Sequence, residues 1–121
     1  MDRAANRSPA AGLGPAQALE RLRAVLGLNR TELAHLFGVR RQAVDQWSAH
    51  GVPADRQEKL ATLGAIADLL EAKLKADRIP GVVRRVAPAH GGRTALGAIA
   101  DGDQDAVLDE LRDAFDWASA A

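Results

Sequence analysis

The chain has 121 residues and a mass of 12.8 kDa, which suits one domain, or one small domain with a packed extension. Apolar residues make up 47% but aromatics only 3%, so a core must come from Leu, Ile, Val and Ala, which favours closely packed helices. No cysteine is present, which excludes disulfides, Cys-ligated zinc and thiol catalysis. No apolar run reaches the length of a membrane span, and the first residues lack the apolar core of a signal peptide, so a cytoplasmic protein with no membrane partner is expected. Net charge is zero but uneven. Residues 1–60 hold nine Lys/Arg against six Asp/Glu, a net of +3, and residues 61–121 hold seven against ten, a net of −3. The first half suits phosphate and the second half repels it.

Residues 1–15 are rich in Ala, Gly, Pro and Arg without periodicity, and predict a mobile tail. Leu19, Leu22 and Leu26 recur at helical spacing, predicting a helix over 16–26 that Gly27 ends. Asn29, with Glu32 three residues on, is a capping-box pattern for a second helix. That helix should bury Leu33, Ala34 and Phe37 and stop at Gly38, which permits the left-handed backbone of a tight turn. A third helix is expected over 41–48, stopped by His50-Gly51-Val52-Pro53.

From residue 54 a long helix should reach residue 75, with Leu60, Leu63, Ile66, Ala67, Leu70 and Leu74 on one stripe. Pro80-Gly81 marks a break, followed by a short helix over 82–86, and residues 88–92 read as loop. Thr94 is an N-cap for a short helix around Leu96, Ile99 and Ala100. Asp101-Gly102-Asp103 reads as a turn. A last helix over 104–117 should bury Val107, Leu108, Leu111, Ala114 and Phe115. With no strand alternation anywhere, the fold expected is all-α. It divides into a tail (1–15), a helix-turn-helix unit (16–53), and a long helix with a small helical C-terminal domain (54–121).

The chemistry concentrates in residues 31–47, TELAHLFGVRRQAVDQW. On the third helix Ala43, Val44 and Trp47 share one side, and Arg41, Gln42, Asp45 and Gln46 span the opposite side. Such a helix suits the major groove, because Arg pairs bidentately with guanine and Gln with adenine. The short helix and Gly-containing turn before it supply the docking geometry. Arg30 and Arg40, at the starts of the second and third helices, are placed for phosphates.

These residues resemble the Xre/Cro/phage-repressor helix-turn-helix family. The resemblance is carried by Leu33-Ala34, Phe37-Gly38-Val39, Arg41-Gln42-Ala43-Val44 and Gln46-Trp47. It implies base contacts from Arg41, Gln42 and Gln46, with Asp45 a weaker candidate. The rest of the chain resembles Xre-type antitoxins that pair with RES-domain toxins. Here the matching residues are Val52-Pro53, Arg56, the 60–70 helix, Ile79-Pro80, Gly91-Gly92-Arg93-Thr94 with Leu96, and Gly102-Asp103 before Val107-Leu108. The resemblance implies a non-catalytic homodimer that binds double-stranded DNA at its own promoter. Its C-terminal half would dimerise and cover a toxin that consumes nicotinamide dinucleotide. Phe115 and Trp117 are the candidate partner-binding residues, although Trp117, off the apolar stripe, serves equally to cover the helix end. A stand-alone or phage-derived dimeric regulator without a toxin is the alternative.

Other signals point to less. His35, His50 and His90 are far apart and have no companion ligands, so no metal site is expected. Gly91-Gly92-Arg93-Thr94 lacks the strand and Lys of a phosphate loop and reads as a turn. Asp101, Asp103 and Asp105 lack the bidentate Glu of a calcium loop and suit the start of the last helix. No cofactor, small-molecule substrate or catalytic arrangement is indicated.

Overall fold

A computed structural model describes the backbone of residues 14–120 and the side chains through residue 117. The tail predicted for 1–15 lies outside this range as far as residue 13. Pro15 does not belong to it. It opens helix α1 (Pro15–Leu26), where a proline has no amide hydrogen to waste and its φ is already helical. Then come α2 (Arg30–Leu36), α3 (Arg41–His50), α4 (Ala54–Lys73), a 3-10 turn (Ala76–Arg78), α5 (Ile79–Val83), α6 (Ala95–Ala100) and α7 (Gln104–Ala120). The fold is all-α apart from one small ribbon: β1 (Val86–Ala87) pairs antiparallel with β2 (Arg93–Thr94), Val86 opposite Thr94 and Ala87 opposite Arg93. It brackets the segment predicted as loop, which forms a 3-10 turn (Pro88–His90) and a Gly91-Gly92 reversal. Two-residue strands are too short for an alternation to register in sequence.

Helix boundaries follow the local signals with informative exceptions. The Asn29 side chain accepts from Glu32 N at 2.7 Å, and Glu32 Oε1 accepts from Asn29 N at 2.9 Å, closing the capping box. Leu28 and Leu33, flanking it at the hydrophobic-staple positions, are both buried. Gly27 and Gly38 both sit at φ +68° and end α1 and α2 with the same paired hydrogen bonds, Gly27 N to Ala24 O with Leu28 N to Arg23 O, and Gly38 N to His35 O with Val39 N to Ala34 O. Thr94 caps α6 by accepting from Gly97 N at 2.9 Å. Two predictions need correcting. The short helix spans 79–83, not 82–86, because Pro80 starts it rather than breaking it. The long helix stops at Lys73, and Leu74 is extended (φ −127°, ψ 152°).

The buried side chains form one cluster running from Leu19 to Leu111, so the core has no gap at the boundary drawn between residues 53 and 54. α4 lies at its centre, with α1 and α7 packed against it. Leu63, Ile66, Ala67 and Leu70 of α4 are fully buried, and each of the larger three stabilises by about 1.5–3 kcal/mol. Arg21 of α1 pairs with Asp68 at 2.8 Å and with Glu71, which fixes the rotation of α1 on α4. On α7, Val107 and Leu111 are buried and Leu108 and Phe115 are half-buried, but Ala114 is exposed, against expectation. The helix presents a narrower stripe to α4 than its sequence offers.

Candidate nucleic-acid interface

Residues 30–50 form two helices joined by a tight turn, as the sequence predicts. α3 is anchored from behind. Val44 and Trp47 are 3% and 7% exposed, and the Trp47 ring meets Phe37 edge-on, with centroids 5.4 Å apart and planes at 89°. An aromatic pair in this geometry contributes about 0.5–1.5 kcal/mol beyond its area. Behind the pair stands α4. Arg56 lies 6.0 Å over the Trp47 ring and donates to Phe37 O at 2.6 Å, satisfying a carbonyl at the end of α2. Lys59 lies 5.9 Å over the Phe37 ring and donates to Ile99 O at 2.8 Å. Burial, and secondarily the nearby Arg56 charge, holds the Lys59 ammonium below its usual pKa. Neither role was legible in sequence, because the partners lie 19 and 40 residues away.

The opposite side of α3 is open. Arg41, Gln42 and Gln46 are exposed, Asp45 is half-exposed, and Arg40 stands exposed at the N-cap. Arg40 makes no side-chain cap bond; the Ala43 amide donates to Arg40 O at 3.0 Å, so among the first-turn amides of α3 those of Arg41 and Gln42 are left to meet an acceptor such as a phosphate. Among the described residues neither Arg40 nor Arg41 pairs with a carboxylate.

The structure brings together two residues that sequence reasoning treated separately. Arg30 Nη1 lies 2.7 Å from Asp45 Oδ1, so the phosphate candidate of α2 holds the one carboxylate on the outward side of α3. The pair is exposed, 60% and 43%. Exposed pairs contribute about 0–1 kcal/mol, little enough for an incoming phosphate to compete for Arg30. Asp45 in turn presents less bare negative charge on this face than its position suggests.

The two C-terminal candidates separate. Phe115 packs half-buried against the protein's own core, while Trp117 is 77% exposed. Only Trp117 offers a free aromatic face. The glycine turn is also accounted for. Arg93 reaches Asp101 at 3.0 Å and Asp103 at 2.9 Å and donates to His90 O at 2.8 Å. Its hydrogen bonds to Asp101 and then to Asp103 raise its pKa further. Gly91-Gly92-Arg93-Thr94 is thus clipped to the turn before α7. Thr62 donates to Asp105 at 3.2 Å. Among the described residues no three His, Cys, Asp or Glu gather as a metal site, and no helix is long and apolar enough to cross a membrane.

A residue missed in sequence ties the second half to the first. Arg84 donates from Nη2 to Gly27 O at 2.7 Å and from Nη1 to Leu26 O at 3.2 Å, satisfying carbonyls at the end of α1. It also lies 3.4 Å from the capping-box carboxylate of Glu32. Comparison with known proteins found no matching family model, no matching curated protein and no matching solved structure.

Proposed function

We propose that this protein is a sequence-specific, double-stranded-DNA-binding antitoxin that acts without catalysis in the cytoplasm. As a homodimer it represses its own promoter, and it neutralises a RES-type toxin by direct binding. The observation that carries the DNA-binding part is the division of α3. Val44 and Trp47 are locked into the core, while Arg41, Gln42 and Gln46 are exposed together on the far side. A helix so anchored presents its bidentate donors from a backbone that needs no ordering on binding, which leaves only the side-chain rotamers to be fixed. Two copies on a palindrome would raise the affinity of a small interface. The toxin-binding part rests on the family resemblance and is supported by exposed Trp117 on an acidic helix, since aromatic anchors and complementary charge favour association.

Binding of the purified chain to the DNA upstream of its own reading frame tests the first part. Arg41→Ala and Gln42→Ala should each weaken it by about 1–3 kcal/mol. Absence of any shift by the wild type at low salt defeats the DNA-binding reading. Co-purification with the product of the neighbouring reading frame tests the second part, and Trp117→Ala should weaken that capture. DNA binding with no captured partner would leave a stand-alone dimeric regulator.

A further inference from the structure

Among the described residues, five of the eight arginines outside the recognition face lie against the chain's own carboxylates: Arg21 by Asp68 and Glu71, Arg23 by Glu20, Arg56 by Asp55, Arg84 by Glu32, Arg93 by Asp101 and Asp103; Arg112 is unpaired but stands among the carboxylates of α7. Lys75, Arg78 and Arg85 are different. All three are exposed, and among the described residues none lies at ion-pairing distance from a carboxylate. They belong to a segment, residues 73–85, with five cations and the single carboxylate Asp77, set in a half of the chain whose net charge is −3. The opposing negative charge is concentrated elsewhere, on α7 and the turn before it, and α7 packs against α4 and α6.

The tertiary structure places this basic segment beside the recognition unit. α5 docks on the corner between α1 and α2. The Pro80 ring lies so close to Gly27 that a Cβ there would fall 2.7 Å from Pro80 Cγ, and Arg84 grips Gly27 O at 2.7 Å. Three residues beyond Gly27 stands Arg30, whose guanidinium reaches Asp45 on α3 at 2.7 Å. Arg78 is the N-cap of α5, Arg85 follows its C-cap, and Lys75 is the N-cap of the 3-10 turn before it, so the three cations flank the helix that docks on this corner.

We propose that Lys75, Arg78 and Arg85 form a second DNA site, which binds backbone phosphates flanking the stretch that α3 reads and carries no sequence preference. Phosphate contacts supply register and a large share of affinity while base contacts supply choice. A chain of zero net charge needs its positive potential gathered where the DNA lies. Arg84 is not one of the ligands, because its guanidinium is used on the carbonyls of α1. The proposal rests on the DNA-binding reading above.

The test is the salt dependence of binding by the full-length chain to its upstream DNA and to an unrelated duplex. Each phosphate contact contributes about 0.9 to the slope of log affinity against log salt. The triple variant Lys75→Gln/Arg78→Gln/Arg85→Gln should therefore lower the slope by about 2–3. Across about 50–200 mM salt the wild type then loses on the order of tenfold or more affinity beyond the loss seen in the variant. Both duplexes should weaken by the same factor, whereas Arg41→Ala should weaken the upstream DNA selectively. If the triple variant melts early, Arg78→Gln and Arg85→Gln taken singly should each lower the slope by about 1. An unchanged slope, with Arg41→Ala still harmful, overturns the flanking site and leaves the DNA-binding reading standing. A loss confined to one duplex overturns the claim that the site is blind to sequence. No binding by the wild type to either duplex overturns both.

Discussion

Gly27 and Gly38 close their helices with the same hydrogen bonds and the same φ of +68°, yet substitution should affect them unequally. A Cβ on Gly38 meets nothing within 4 Å, while one on Gly27 falls 2.7 Å from Cγ and 2.9 Å from Cβ of Pro80. Gly38→Ala then carries only the left-handed penalty, about 1 kcal/mol. Gly27→Ala carries that and the cost of forcing the Pro80 ring aside, about 1–3 kcal/mol more, for a total of about 2–4 kcal/mol. At about 4 °C per kcal/mol for a chain of this size, Tm should fall by about 4 °C in Gly38→Ala and about 8–16 °C in Gly27→Ala. Thermal and urea unfolding followed by far-UV circular dichroism measures both. Pro80→Gly removes both clashing atoms, so Gly27→Ala/Pro80→Gly should lose less than the sum of its parts. Equal losses in the two alanine variants, or strict additivity with Pro80→Gly, would refute the docking of α5 on this corner.

The two tryptophans should behave as opposites. Trp47→Ala should cost about 3–5 kcal/mol, whereas Trp117→Ala should stay within about 0.5 kcal/mol of wild type, and iodide should quench only the second residue's fluorescence strongly. Asp45→Asn breaks the pair with Arg30 and should alter stability by less than about 1 kcal/mol. It should tighten binding to any duplex, measured by fluorescence anisotropy, because a carboxylate is removed and a guanidinium released; weaker binding would show that Asp45 itself contacts a base. For Lys59, burial lowers the folded-state pKa below the ordinary value of 10.5. The unfolded chain therefore binds more protons between those two values, and stability should rise with pH through that window. Urea unfolding across alkaline pH should show this rise in the wild type and lose it in Lys59→Gln.

By itself the sequence determined what depends on neighbours a few residues apart. The capping box at Asn29 and Glu32, the left-handed glycines at 27 and 38, the Thr94 cap and the apolar face of α3 are all written within a turn or two of chain. Hydrogen bonds to the adjacent backbone and the 3.6-residue period are local quantities, so the all-α fold and the exposed Arg41, Gln42 and Gln46 could be read directly. Tertiary structure alone decided how the charges are shared between elements. Arg30 pairs with a residue 15 positions away, Arg56 with a carbonyl 19 away and Arg84 with one 57 away, and no periodicity encodes such distances. The same holds for Pro80, whose ring signals a break in sequence but starts a helix and seats it on Gly27. It holds for Ala114 too, which lies on the apolar pattern of α7 and is left in solvent. Which cations stay unpaired, and so free for an outside phosphate, depends on which carboxylates folding brings to the others. That set is complete only once the chain has packed.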